Sequence, residues 1–215
     1  MATWIDNRLR ARAAIFFLWV AVGRSAAIMI YNFMGYQAVQ TSRAAISVII
    51  LLGALSLATM GSFLAWFYRA YQNLYSTGAN TLYAPGWALG SFLVPILNWI
   101  RPYRIMEEIW QENAEMANDP NTAEPLPKNQ PTALLKWWWG CFVLAHIAVI
   151  FYLPKPVPSA PIAFLAPTRN LFANASLLLS IFAAILATQV IQKISTLESK
   201  ALARQRARES SAVML

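Results

Sequence analysis

Charge is what this chain has least of. Of its 215 residues 12% are Asp, Glu, Lys or Arg and 58% are hydrophobic, whereas a soluble domain carries about 25% charged residues. That shortage excludes an ordinary water-soluble fold. Cysteine and histidine are nearly missing as well. The single Cys141 lies in an apolar run, so no disulfide can form within one chain and the redox compartment stays open. The single His146 excludes bis-histidine haem ligation and limits metal chemistry severely. Aspartate occurs only at Asp6 and Asp119, outside the apolar runs, which excludes an intramembrane aspartyl dyad. There is no HExxH, no CxxC, no Gly-x-Ser nucleophile motif with a histidine partner, and no phosphate loop. Nothing here argues for an enzyme. The expectation is a non-enzymatic protein with no cofactor and no metal.

What the chain has instead is long apolar runs, and runs of 17 or more such residues read as membrane-spanning helices. Four spans are expected, over residues 13–36, 44–67, 137–153 and 171–191. The first follows Arg8, Arg10 and Arg12. A basic start and the small-residue Ala21-Val22-Gly23 also suit a cleaved signal, but the apolar pattern resumes after Arg24-Ser25 instead of giving way to a polar start. The second span carries small residues four apart (Ala54, Ala58 and Ser62, with Gly61 and Ala65 beside them), a spacing that lets helices approach closely in lipid. The third is entered by Lys136 and three consecutive tryptophans, an interfacial aromatic belt with a basic anchor. The fourth repeats the small-residue spacing at Ser176, Ser180, Ala184 and Thr188.

Residues 87–100 are apolar but too few for a core of about 30 Å, and Gly90 and Pro95 break them. They read as a re-entrant or interfacial segment. Arg101-Pro102 then opens an amphipathic cytoplasmic helix, 102–117. Ile105, Met106, Ile109 and Trp110 form its apolar face; Glu107, Glu108, Gln111, Glu112 and Glu115 form a solvated one. A linker follows over 118–131, and a stiff proline-rich loop runs from Pro154 to Pro167. Residues 1–193 are expected to form one membrane domain and 194–215 a basic tail.

The net charge of +8 would elsewhere suggest nucleic acid. Its distribution argues otherwise. With four crossings, the N-terminus, the Arg69–Lys136 segment and the tail share one side and hold 13 of the 17 Lys and Arg. This bias places both termini in the cytoplasm, and the basic excess suits anionic lipid.

The stretch Trp66–Trp110 concentrates the residues that are not merely lipid-filling. Arg69, Asn73, Asn98, Arg101 and Tyr103 could line a polar pocket walled by Trp66, Trp87 and Trp99. Arginine's planar fork suits a phosphate or carboxylate, and the indoles suit a ring or a lipid tail. Arginine and tryptophan at an interface are equally what plain anchoring requires. Two polar residues lie within spans. Arg24 sits mid-segment, where arginine costs about 2.5 kcal/mol or more, with no acid in any span to pair with it. His146 reads as an interhelical hydrogen-bonding residue.

The same stretch carries an ordered set of motifs: Trp66-Phe67-Tyr68-Arg69-Ala70-Tyr71-Gln72-Asn73, Pro85-Gly86-Trp87, Pro95–Asn98, Arg101-Pro102-Tyr103 and Glu108-Ile109-Trp110. In these it resembles a family of uncharacterised bacterial multi-span membrane proteins, a domain of unknown function. The resemblance implies a bacterial cytoplasmic-membrane protein with this stretch as its hallmark, and implies no activity. The expected role is an accessory or binding protein that presents a Trp/Arg platform to membrane lipids, a small amphiphile, other membrane-protein subunits or a second copy of itself. A small channel or transporter with the broken segment lining its path, and a haem- or quinone-binding electron carrier, are the alternatives.

Overall fold

The computed structural model describes residues 4–33, 43–79, 81–118, 131–152 and 166–213, and no strand occurs among them. In chain order the helices are α1 (Arg8–Phe33), α2 (Arg43–Ser76), α3 (Trp87–Leu93), a 3-10 turn (Leu97–Trp99), α4 (Arg101–Ala117), α5 (Pro131–Tyr152) and α6 (Ala166–Val213). Four of these, α1, α2, α5 and α6, are long and apolar enough to cross a membrane. The all-α, multi-span architecture is therefore the one that hydropathy predicts. Residues 34–36 and 153 of the expected spans, 119–130 of the expected linker and 154–165 of the proline-rich loop lie outside the described residues.

Two helices run past their apolar parts. α2 continues through Arg69 and Asn73 to Ser76, and α6 carries on without a break into the basic tail. At about 1.5 Å per residue, the 48 residues of α6 extend roughly 72 Å, more than twice a hydrocarbon core.

The helix ends follow local chemistry. The Asp6 carboxylate accepts the Arg8 N–H at 2.9 Å and so caps the start of α1. α2 closes through Thr77 N–H to the Leu74 carbonyl and Gly78 N–H to the Tyr75 carbonyl. Gly78 there has φ +78°, a conformation that favours glycine. α3 stops because Val94 precedes Pro95 and takes an extended conformation, φ −96° and ψ 113°. Pro102 is accommodated in the first turn of α4, where its missing N–H is not needed.

The chain divides into two compact units. Unit 1 comprises Met1–Ile15, Gly61–Lys136 and Thr188–Leu215; unit 2 comprises Phe16–Met60 and Trp137–Ala187. Charge separates them sharply: all nine Asp and Glu, and 13 of the 17 Lys and Arg, belong to unit 1.

Unit 2 turns large apolar side chains outward, among them Phe16, Trp19, Ile49, Ile50, Leu57 and Leu171. This is the inverse of a water-facing surface and suits lipid. Its helices are tied by polar side chains on neighbouring carbonyls: Thr59 on Phe17 at 3.3 Å, and Ser176 on Ala145 at 3.0 Å. Asn32 donates to Asn174 at 3.1 Å. The small-residue stripe of α6 is buried at Ser176 and Ala184. Of the stripe expected to pack α2, Ala54, Gly61 and Ala65 are exposed and Ala58 and Ser62 half-buried. The face of α2 that meets α1 instead carries Leu52, Ser56 and Thr59, whose polar atoms bond α1.

Unit 1 has a conventional packed core. Trp66, Phe67, Tyr71 and Leu74 of α2 are fully buried, as are Ile105, Met106 and Ile109 of α4. Burying a side chain of this size stabilises by about 1.5–3 kcal/mol.

Candidate functional site

The site is built on α4. Glu108 is 8% exposed and faces the core, so its expected place on a solvated face is corrected. Its Oε1 accepts the Leu82 N–H at 2.5 Å and its Oε2 accepts the Tyr71 hydroxyl at 3.0 Å. Those partners, 26 and 37 residues away, offset the desolvation of a buried carboxylate. The Tyr71 oxygen also accepts the Tyr83 N–H at 3.1 Å, and its proton can turn to the Tyr83 carbonyl at 3.0 Å. A carboxylate and a phenol thus pin the turn that carries Tyr83.

Tyr83 is positioned for Arg101. The Arg101 guanidinium carbon lies 4.1 Å from the Trp87 ring centroid and 5.2 Å from that of Tyr83. Such cation–π contacts are worth about 0.5–2 kcal/mol each, most when desolvated. The buried Nη1 of Arg101 has no hydrogen-bond partner among the described residues, and neither has the buried Oδ1 of Asn98 three residues earlier. The chain has no Asp or Glu from Asn7 to Met106, so the arginine stands beside a long acid-free stretch.

Around this cation the surface is apolar. Phe92 packs inward, edge-on to Phe63 and Phe67 at 6.4 and 5.9 Å, and Ala88 and Ser91 are buried. The opposite side of the segment is bare: Leu93 is 82% exposed, Ile96 79% and Ile100 58%, with Trp87 and Trp99 also exposed. Downstream on α4, the Tyr103 hydroxyl donates to Glu107 at 3.4 Å. Burial, then the Glu107 charge, raises the Tyr103 phenol above its usual range. Glu112 is raised likewise, first by burial and then by Glu115 and Glu108.

A family profile described as "Domain of unknown function (DUF4328)" matches residues 31–196, well over half of the chain. The chain belongs to this family. No curated protein and no solved structure matches it. The region matched to DUF4328 contains the whole Trp66–Trp110 stretch, and with it every element of the site just described.

Within this DUF4328 chain five of the eight expected pocket residues fall into three groups, while Asn98 and Tyr103 stand as described above and Trp99 is exposed. Arg101 and Trp87 stand together, joined by Tyr83, which the sequence did not single out. Trp66 and Asn73 face the N-terminal segment: the Trp66 carbonyl accepts from Asn7 at 3.2 Å, and the Asn73 amide grips the backbone of Ile5. Trp66 is fully buried. Arg69 donates to Gln72 of its own helix at 2.9 Å. Among the intramembrane polar residues, Arg24 donates to the Leu52 carbonyl at 3.4 Å and to Ser56. The His146 Nδ1 lies 2.7 Å from the Phe142 carbonyl on its own helix, with the two rings 4.2 Å apart. That contact is within one helix and not between two. No three His, Cys, Asp or Glu among the described residues are grouped to hold a metal ion.

Proposed function

We propose that this protein is a non-enzymatic accessory protein of the bacterial cytoplasmic membrane, with both termini in the cytoplasm. It presents the segment 87–100 and Arg101 to the lipid interface or to a membrane-borne amphiphile. One observation carries the reading. An uncharged segment, anchored inward by Phe92, turns Leu93, Ile96 and Ile100 outward beside a guanidinium whose buried Nη1 has no hydrogen-bond partner among the described residues. Exposed apolar side chains grouped this way mark a lipid- or partner-contacting surface. Indoles such as Trp87 and Trp99 suit the boundary where one edge is apolar and the other wet. The hydrogen bonds of Arg24 and His146 to helix carbonyls support packing roles for the two residues on which the channel and electron-carrier alternatives depend.

Nitroxides placed singly at Leu93 and Ile96 in lipid nanodiscs test the reading. In a Cys141→Ala background, both should collide with dissolved oxygen more than with a water-soluble nickel chelate. A label at Glu115, which is exposed on α4, should show the reverse. Equal access of the nickel chelate to all three would refute it.

A further inference from the structure

Away from that surface, unit 1 contains a buried acid that the site does not use. Glu198 of α6 is 6% exposed and lies seven residues beyond Ile191, where the apolar run has ended. The N-terminal segment lies against it. Asn7, itself 3% exposed, lies beside the Glu198 carboxyl and donates Nδ2 to the Trp66 carbonyl at 3.2 Å. Beside it Asn73 holds Ile5 at two points, accepting its N–H at 3.3 Å and donating to its carbonyl at 2.8 Å. Four residues of chain are thereby fastened to α2 and α6. Both Asn7 and Glu198 fall outside the residues matched to the family.

Two buried atoms of this cluster have no hydrogen-bond partner: Oε1 of Glu198 and Oδ1 of Asn7. Both are acceptors, on two buried side chains that lie beside each other. A carboxylate beside an amide leaves such a pair of acceptors facing no donor. A neutral carboxyl cures this, because it pairs head to head with an amide, one N–H and one O–H each meeting an oxygen. A divalent ion is a poorer answer, since calcium takes about six to eight oxygen ligands and this cluster offers few.

We propose that Glu198 is a proton-binding site, and that the bound proton clasps residues 4–7 onto α2 and α6. The surrounding charges agree. Burial foremost, and then the Asp6 charge, pushes the Glu198 carboxyl up to about 7, against the opposing effect of the Asn7 side chain. The cations of the neighbouring elements are engaged or exposed. Arg10 donates to the Asp6 carbonyl at 3.4 Å, Arg69 to Gln72, and Arg204 to the Ala117 carbonyl; Arg8 and Lys200 are exposed. On α2 the facing residues Trp66 and Asn73 carry no charge.

The sign follows. A carboxyl raised in the docked state favours docking fully below its ordinary value of 4.5, and that contribution is lost as pH rises through about 7. With those two values, the docked-to-released ratio falls roughly 30-fold between about pH 5.5 and about pH 8.5.

The test uses the full chain in nanodiscs, with Cys141→Ala and a nitroxide at Ile5. The mobile fraction should grow as pH rises, with its midpoint between 4.5 and about 7. Infrared difference spectra should lose a protonated-carboxyl stretch at the same midpoint, and Glu198→Gln should abolish that band. Glu198→Gln, whose amide is a permanent donor, should also keep the label immobile at every pH. A wild-type label indifferent to pH would overturn the proposal without any variant. So would a titration that persists unchanged in Glu198→Gln, because another group would then be responsible.

Discussion

Replacing Glu108 with alanine removes the acceptor for two donors at once, the Leu82 N–H at 2.5 Å and the Tyr71 hydroxyl at 3.0 Å. A hydrogen bond to a charged group is worth about 1.5–3 kcal/mol net, and a buried donor left unmet costs about as much. The two losses are unequal. The Tyr71 hydroxyl can turn to the Tyr83 carbonyl at 3.0 Å, whereas the Leu82 amide, on a residue 72% exposed, is left to water. The expected destabilisation is therefore about 2–4 kcal/mol, below twice the single-bond value. Glu108→Gln keeps one carbonyl oxygen but turns an amide NH2 toward the other donor, and should cost about half as much. Glu107→Ala is the control, since its only hydrogen bond among the described residues is the long 3.4 Å contact from Tyr103; it should stay within about 0.5 kcal/mol of wild type. Unfolding by dodecyl sulfate titration, followed by circular dichroism in mixed micelles, gives the stabilities. Amide exchange over residues 77–86 reports whether the turn has come loose. If Glu108→Ala matched Glu107→Ala in both measurements, the carboxylate would not be the element that pins this turn.

Two further outcomes are expected. Arg101→Gln should reduce retention of anionic phospholipid in native mass spectra by about fivefold, matching the roughly 1 kcal/mol that one cation near an anionic lipid surface contributes. Arg101→Lys should recover only part of it because an ammonium lacks the flat fork; equal retention in all three proteins would remove Arg101 from the surface's chemistry. Single cysteines at Glu115 and Ser159, in a Cys141→Ala background, should label from opposite faces of the membrane. Labelling of both from outside would refute the proposed threading.

The spans were legible because lipid imposes a one-dimensional rule: a sufficient run of apolar residues reads directly from the chain. The break at Val94–Pro95 was legible for an equally local reason, since proline restricts the backbone where it stands, whereas Gly90, read as a second break, lies inside α3. Glu108 was not legible. Among Glu107, Glu112 and Glu115 it looks like one more solvated acid, and the donors that bury it come from residues 71 and 82. Asn73 was misassigned similarly: its neighbours in sequence include Arg69, but its amide is spent on Ile5, 68 residues away. Trp66 lies in an aromatic cluster that resembles an interfacial belt, yet it is core. Tyr83, Asn7 and Glu198 gave no signal at all, because each acquires its role only from long-range partners. The small-residue stripe of α2 failed for the opposite reason. Spacing identifies a face that could pack closely, and leaves open which face of the helix its neighbour meets.

Arg24 bears on how the chain enters the bilayer during synthesis. A central arginine raises the insertion cost of an isolated helix by about 2.5–3.5 kcal/mol on translocon scales. α1 offers it no relief, since both acceptors of its guanidinium, the Leu52 carbonyl and the Ser56 hydroxyl, belong to α2. The Phe17 carbonyl of α1 receives its side-chain donor from α2 as well, through Thr59. α1 is thus incomplete when it first emerges from the ribosome. Insertion of α1 and α2 as a pair is the expected consequence, since a chain that ends after Phe33 lacks the Leu52 and Ser56 acceptors of Arg24.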